Sequence, residues 1–185
     1  MGMVLCARKI AEDDLNYLST HPDETFTFIT GVTPQRSFLQ TMFAKKTVKR
    51  DWPEPDDRED LDLDKSWEAL HFCLTGSRNP TSAPEGLLLM DKRSIGSDEV
   101  GYGKPWALDA KEVKLFARTL APLSQADLRA RYDPVRMVRE KVYLADAFLR
   151  DGDQGFDYIW QNFLQLRDFL NATSEQGQGL VLWLT

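Results

Sequence analysis

Two histidines, His21 and His71, and two cysteines, Cys6 and Cys73, are the residues of this 185-residue chain best suited to acid, base or nucleophilic work. Imidazole titrates near neutrality, so His71, with Asp64, Lys65 and Glu68 just upstream, has the ingredients of an acid/base site. Its spacing argues for a different role. His71 follows Trp67 by four residues and shares its helical stripe, which predicts a buried histidine hydrogen-bonded to backbone. Cys73 lies late in the same helix, two residues from His71, where the two side chains diverge, so a buried free thiol is expected there and also at Cys6. With no C-x-x-C pair and only two sulfurs, neither a disulfide framework nor a zinc site is indicated, and the sequence calls for no cofactor.

Other chemical patterns fall short of their motifs. Gly101-Tyr102-Gly103-Lys104-Pro105 lacks the spacing of a phosphate-cradling loop, and Gly96-Ser97-Asp98 lacks the order of a nucleophile elbow. Charge is more informative. Lys plus Arg total 23 and Asp plus Glu 29, a net charge of −6, which disfavours a nucleic-acid surface. Asp51 to Asp64 (DWPEPDDREDLDLD) alone carries eight acids and one Arg, or −7, leaving about +1 for the rest of the chain. This segment has no EF-hand spacing, so a metal is not expected, but dense acidity steers toward a basic site on a partner protein. Trp52, placed among those acids without apolar neighbours in sequence, is expected to be exposed and to anchor such an interface. The candidate partner surface is therefore Trp52, Glu54, Asp56, Asp57, Glu59 and Asp60.

These residues need a scaffold, and the hydrophobic pattern supplies one. A 42% hydrophobic and 28% charged composition is that of a folding domain rather than a disordered chain. Met3 to Ile10 reads as a strand, Ala11, Leu15 and Leu18 as a helical face, and Thr25-Phe26-Thr27-Phe28 as a half-buried strand with period two. Thr33-Pro34 opens a predicted helix with Phe38, Leu39, Met42 and Phe43 inward and Lys45 and Lys46 near its end. Thr47 to Asp62 is expected to be an exposed loop. A helix from about Leu63 carries Trp67, Leu70 and Leu74 and closes at Gly76, after which Ser77 to Gly86 reads as a loop and Gly86 to Met90 as a short apolar strand. Gly96 to Gly103 is rich in turns. Asp109 with Glu112 marks a capping box ahead of Val113, Phe116, Ala117 and Leu120, with Pro122 as the stop; shorter helices open at Ser124 and Asp133-Pro134. The longest helix spans about Asp153 to Ala172, and Leu180 to Leu184 ends the chain as a strand buried on both faces. No stretch approaches the roughly 18 apolar residues of a membrane span, and the start lacks a secretory pattern, so a cytoplasmic location is expected.

The segment Leu61 to Gly76 (LDLDKSWEALHFCLTG), the opening Met1-Gly2-Met3, the GSDEVGYGKP stretch at 96–105, and Asp157-Tyr158 to Phe169 followed by an apolar strand together resemble the bacterial YfbM-like family, a domain of unknown function. The resemblance implies a mixed α/β fold, a central sheet of short strands covered by helices in a single domain over 1–185, with about 25–60 expanded relative to shorter members. It brings no established activity or catalytic residues.

The functional expectation is thus a bacterial cytoplasmic protein that acts by binding rather than catalysis: an immunity protein that covers the basic active site of a toxin with its acidic segment. The alternative is an enzyme or small-molecule binder with a pocket formed by Asp64, Trp67, His71 and Tyr102. Oligomeric state is not set by the sequence.

Overall fold

The structure, a computed structural model, describes residues 2–33, 50, 52, 59–81, 84–89 and 94–185. Its fold is mixed α/β. Strand β1 (Leu5–Ile10) leads to helices α1 (Glu12–Thr20) and α2 (Thr25–Thr30), then to β2 (Asp60–Asp62), α3 (Trp67–Thr75) and β3 (Trp106–Leu108). Helices α4 (Ala110–Leu120), α5 (Gln125–Arg131), α6 (Pro134–Arg139), α7 (Ala145–Asp151) and α8 (Asp153–Glu175) follow, and β4 (Gly179–Leu184) completes the sheet. All three strand pairings are antiparallel, in the order β2-β1-β4-β3. β1 and β4 are therefore the central pair, in register from Leu5 opposite Leu184 to Ile10 opposite Gly179.

Successive side chains of a strand point to opposite faces, and here that alternation sorts the protein into two cores. Leu5, Ala7, Leu108, Leu180 and Leu182 face a large core shared with Phe116 and Leu120 of α4 and with α3 and α8. The stripe of α8 is Phe156, Ile159, Phe163, Leu166 and Leu170, at alternating steps of three and four that keep one helical face against the sheet. Ala107, Val181 and Trp183 face a smaller core with Leu15 and Leu18 of α1 and Phe28 and Ile29 of α2.

Local signals set the helix ends. The Asp109 carboxylate accepts from the Lys111 and Glu112 amides while Glu112 accepts from the Asp109 amide at 2.8 Å, the expected capping box. Ser124 and Asp127 repeat it at α5, and Asp133 accepts from the Arg136 amide at 2.9 Å ahead of Pro134 in α6. Gly76, at φ 73°, takes the left-handed conformation that ends α3. Arg131 and Arg136 reach the Leu74 and Gly76 carbonyls, placing two cations at the negative end of that helix.

Four expectations are corrected. Thr25 to Phe28 begins a helix rather than a strand, because Thr25, Phe28 and Ile29, at i, i+3 and i+4, are the positions that find burial. Gly86 to Leu89 lies in a 3₁₀ turn (Pro84–Leu89) that buries Leu87 and Leu88 without sheet pairing. The segment expected to be loop through Asp62 ends in β2, where buried Leu61 sits between exposed acids. The helix expected from Leu63 starts with a 3₁₀ turn at Asp64–Ser66 before α3. The helix expected from Pro34, with Phe38, Leu39, Met42, Phe43, Lys45 and Lys46, lies outside the described residues.

Candidate functional site

The chemistry-bearing residues divide into those that are sealed, those that are paired and those that meet at a cleft. His71 is fully buried, and its Nε2 donates to the Asn79 carbonyl at 3.0 Å. A carbonyl can only accept, so the ring carries its proton on Nε2, and Nδ1 is left buried without a partner. Burial holds its pKa below the usual imidazole value, only partly offset by the Asn79 carbonyl and by Glu68. His71 is thus the backbone-bonded core histidine its spacing predicts. Cys73 is fully buried, and burial pushes its thiol up to about 12. Cys6 is half-buried rather than enclosed and also rises to about 12, through burial and then the charges of Asp62 and Asp60. Neither sulfur is a thiolate at neutral pH.

Of the six residues of the expected partner surface, the three that the structure describes each have contacts within the fold. Trp52 is half-buried rather than exposed: its ring stands edge-on to Phe28 at 5.0 Å and to Tyr17 at 6.2 Å, apolar company that the local sequence does not show. The Asp60 carboxylate takes both Nε (2.7 Å) and Nη2 of Arg8. Glu59 is paired with Lys9 at 2.8 Å, which holds its carboxyl below the usual carboxylate range, yet it stays exposed to solvent. Glu54, Asp56 and Asp57 lie outside the described residues.

The alternative pocket of Asp64, Trp67, His71 and Tyr102 is also corrected, since Trp67 alone of the four lines the neighbouring cleft. His71 is enclosed behind it, Tyr102 projects into solvent, and Asp64 accepts from the Tyr158 hydroxyl at 2.8 Å. Among the described residues, no group of three or more His, Cys, Asp or Glu is placed to hold a metal, and no helix is long and apolar enough to cross a membrane.

The cleft encloses about 330 Å³ between Trp67, Glu68, Arg78, Asn79, Pro80, Leu89, Trp106 and Leu184. Five segments build it. α3 begins with Trp67, whose Nε1 donates to the Met3 carbonyl at 3.2 Å and whose ring stacks on Tyr143 at 5.8 Å, so this wall is fixed. Trp106 lies opposite Leu182 in the sheet, and Leu184, two residues further along β4, emerges on the same face. Leu89 comes from the 3₁₀ turn, and the loop after α3 supplies Arg78, Asn79 and Pro80.

One ion pair gives the cleft its polarity. Glu68 is 6% exposed; its Oε1 accepts from Arg78 Nη2 at 3.1 Å and its Oε2 accepts from the Tyr143 amide. The loop carrying Arg78 is pinned from beneath by the His71 to Asn79 hydrogen bond and by the Ser77 amide donating to Thr75 Oγ1 at 3.2 Å. His71 therefore shapes the site without touching its contents. The sequence points to Trp67 and Glu68, but Arg78, Leu89, Trp106 and Leu184 stand in no motif; Leu89, Trp106 and Leu184 are legible only as members of short apolar runs, and Arg78 carries no local signal.

A second hollow, about 510 Å³, lies beside the smaller core between Arg8, Lys9, Phe28, Trp52, Glu59 and Gln178. Its charged groups are already engaged: Arg8, Lys9 and Glu59 by the pairs described above, and Asp14 by Arg50.

Among curated proteins nothing matches the chain. A search of solved structures finds the crystal structure of YfbM from Escherichia coli, a protein of unknown function, at 17% identity and a TM-score of 0.65, covering 98% of this chain and 99% of that one. At that identity the likeness shows a shared fold. The model of the family described as domain of unknown function (DUF1877) matches residues 1–183, nearly the whole chain, and the protein belongs to that family.

Proposed function

We propose that this domain binds a small molecule in the cleft between Trp67 and Trp106. The observation that carries the reading is a concave, mainly apolar site with one hydrogen-bonded ion pair converging on it, its carboxylate buried and its guanidinium open to solvent, the usual make-up of a ligand pocket. The reading is of binding rather than catalysis: among the described residues the lining offers no hydroxyl, thiol or imidazole, and both oxygens of Glu68 are already bonded. The test is ligand-observed NMR against a fragment library, with a Leu89→Trp variant that fills the cleft. Fragments should bind the parent protein and lose binding in the filled variant at unchanged melting temperature; hits that survive the filling remove the cleft from the function.

A second reading, protein binding, is favoured by the acidic edge of the sheet. β2 is outermost, with no described strand on its far side, and it presents Asp60 and Asp62 around Leu61 next to exposed Glu59. In this reading the domain is a cytoplasmic immunity protein whose 51–64 segment, at −7, covers the basic active site of a toxin. Asp60 should be left intact in its test, since changing it breaks the Arg8 pair. Reversing Asp56, Asp57 and Glu59 to Lys should weaken a salt-sensitive partner in pull-downs from the native cell; an unaltered partner removes the acidic segment from the function.

A further inference from the structure

We infer that the ligand of the Trp67–Trp106 cleft is a small, flat apolar acid whose single carboxylate is gripped by Arg78; this rests on the small-molecule reading above. Arg78 is built as a receptor. Its Nη2 gives one hydrogen to Glu68, and among the described residues the guanidinium has no other partner. A guanidinium has five N–H groups arranged as two forked edges, so one edge remains complete and free for a two-point contact with a carboxylate. The side chain is 39% exposed, whereas Glu68 behind it is 8% exposed. Glu68 thus acts as a positioning residue, holding the fork from the interior and leaving its other edge for a ligand in the cleft that Arg78 lines.

The rest of the lining selects what the carboxylate is attached to. Trp67 offers a ring already fixed by Met3 and Tyr143, Trp106 has no ring partner among the described residues, and Leu184 adds an aliphatic wall. A volume of about 330 Å³ is at the low end of the roughly 300–1,000 Å³ of ligand pockets, room for one or two fused rings. Charge selects the head group. Glu68 and Arg78 together are neutral, so a monoanion leaves one guanidinium shared by two carboxylates, of which Glu68 also has the Tyr143 amide. A dianion such as a phosphate monoester would put a second negative charge beside a buried carboxylate, and among the described lining residues no cation besides Arg78 offsets it.

Titration calorimetry with three matched probes tests this: 1-naphthoate, neutral 1-naphthamide and dianionic 1-naphthyl phosphate. Naphthoate should bind roughly tenfold or more tightly than either analogue, the worth of one charge-assisted contact. Arg78→Lys, which keeps the charge and loses the fork, should erase most of that preference by weakening naphthoate far more than naphthamide; melting temperature reports whether the loop still folds. Equal binding of naphthoate and naphthamide, both lost in Leu89→Trp, overturns the carboxylate inference and leaves the cleft as the binding site. Tightest binding of the phosphate overturns the monoanion choice. No binding of any probe at millimolar concentration overturns both this inference and the reading it rests on.

Discussion

On the face of the sheet that carries Leu5, Ala7, Leu180 and Leu182, helices α4 and α8 press an apolar layer with Phe116, Phe163 and Leu170 nearly or fully buried. The opposite face, carrying Arg8, Val181 and Trp183, closes over a guanidinium that is 3% exposed. Arg8 there donates to Asp60 and to the Phe28 and Ile29 carbonyls at 2.6 and 2.7 Å, and its charge lies over the Phe28 and Trp183 rings at 5.7 and 5.5 Å. The first face is held by area removed from water and depends little on any one pair. The second is short of apolar area and ties β1, β2 and α2 together through one polar side chain that makes four hydrogen bonds, which makes it specific and brittle.

The contrast can be broken from either side. Phe163→Ala should be the most damaging change, at about 4 kcal/mol by urea denaturation, because it opens a void in the large core beneath α8. Arg8→Met should cost about 3 kcal/mol: its stem still packs, but Asp60 and two buried carbonyls lose their donors. Asp60→Asn should cost less than Arg8→Met in the same assay, since Asp60 sits at the rim and Arg8 keeps both α2 carbonyls. A double-mutant cycle in which the two losses simply add would show that the pair is not coupled. Asp109→Ala should remove about 1 kcal/mol through loss of the helix cap, and should leave the Arg8 and Phe163 effects unchanged.

Acid response distinguishes the faces in another way, because the buried imidazole belongs to the large core. The folded state keeps His71 neutral below its ordinary pKa, whereas the unfolded chain protonates it near pH 6.5. Between those two values the unfolded state binds more protons, so stability is full above about pH 6.5 and declines as the pH falls toward the folded-state value. His71→Gln should flatten that part of the profile in denaturation curves taken from pH 7.5 to 5; an unchanged slope would place the acid sensitivity elsewhere.

What the sequence makes legible follows the range of the forces involved. Asp109 with Glu112, Asp133-Pro134, Gly76 and the long apolar stripe of α8 are local devices, and each stands where its spacing predicts. The short elements are not legible in the same way. Phe26 and Phe28 fit a two-residue period, but the helical triple of Thr25, Phe28 and Ile29 wins because it meets the sheet. β3 (Trp106–Leu108) and β2 have three residues each and exist only because longer neighbours pair with them. The cleft is the extreme case: Trp67 is visible as a core-stripe residue, but Arg78, Trp106 and Leu184 become neighbours only when the sheet and α3 are assembled.

The central position of β1 beside β4 also governs how the chain reaches its fold. Leu5 pairs with Leu184, so the middle of the sheet joins segments from opposite ends of the sequence, and nearly every intervening residue must be made and gathered first. Such long-range closure raises the contact order and slows folding. While the chain emerges from the ribosome, β1 waits with an unpaired apolar edge until Gly179 to Leu184 arrives, so the interval before that pairing is when this molecule is most exposed to aggregation.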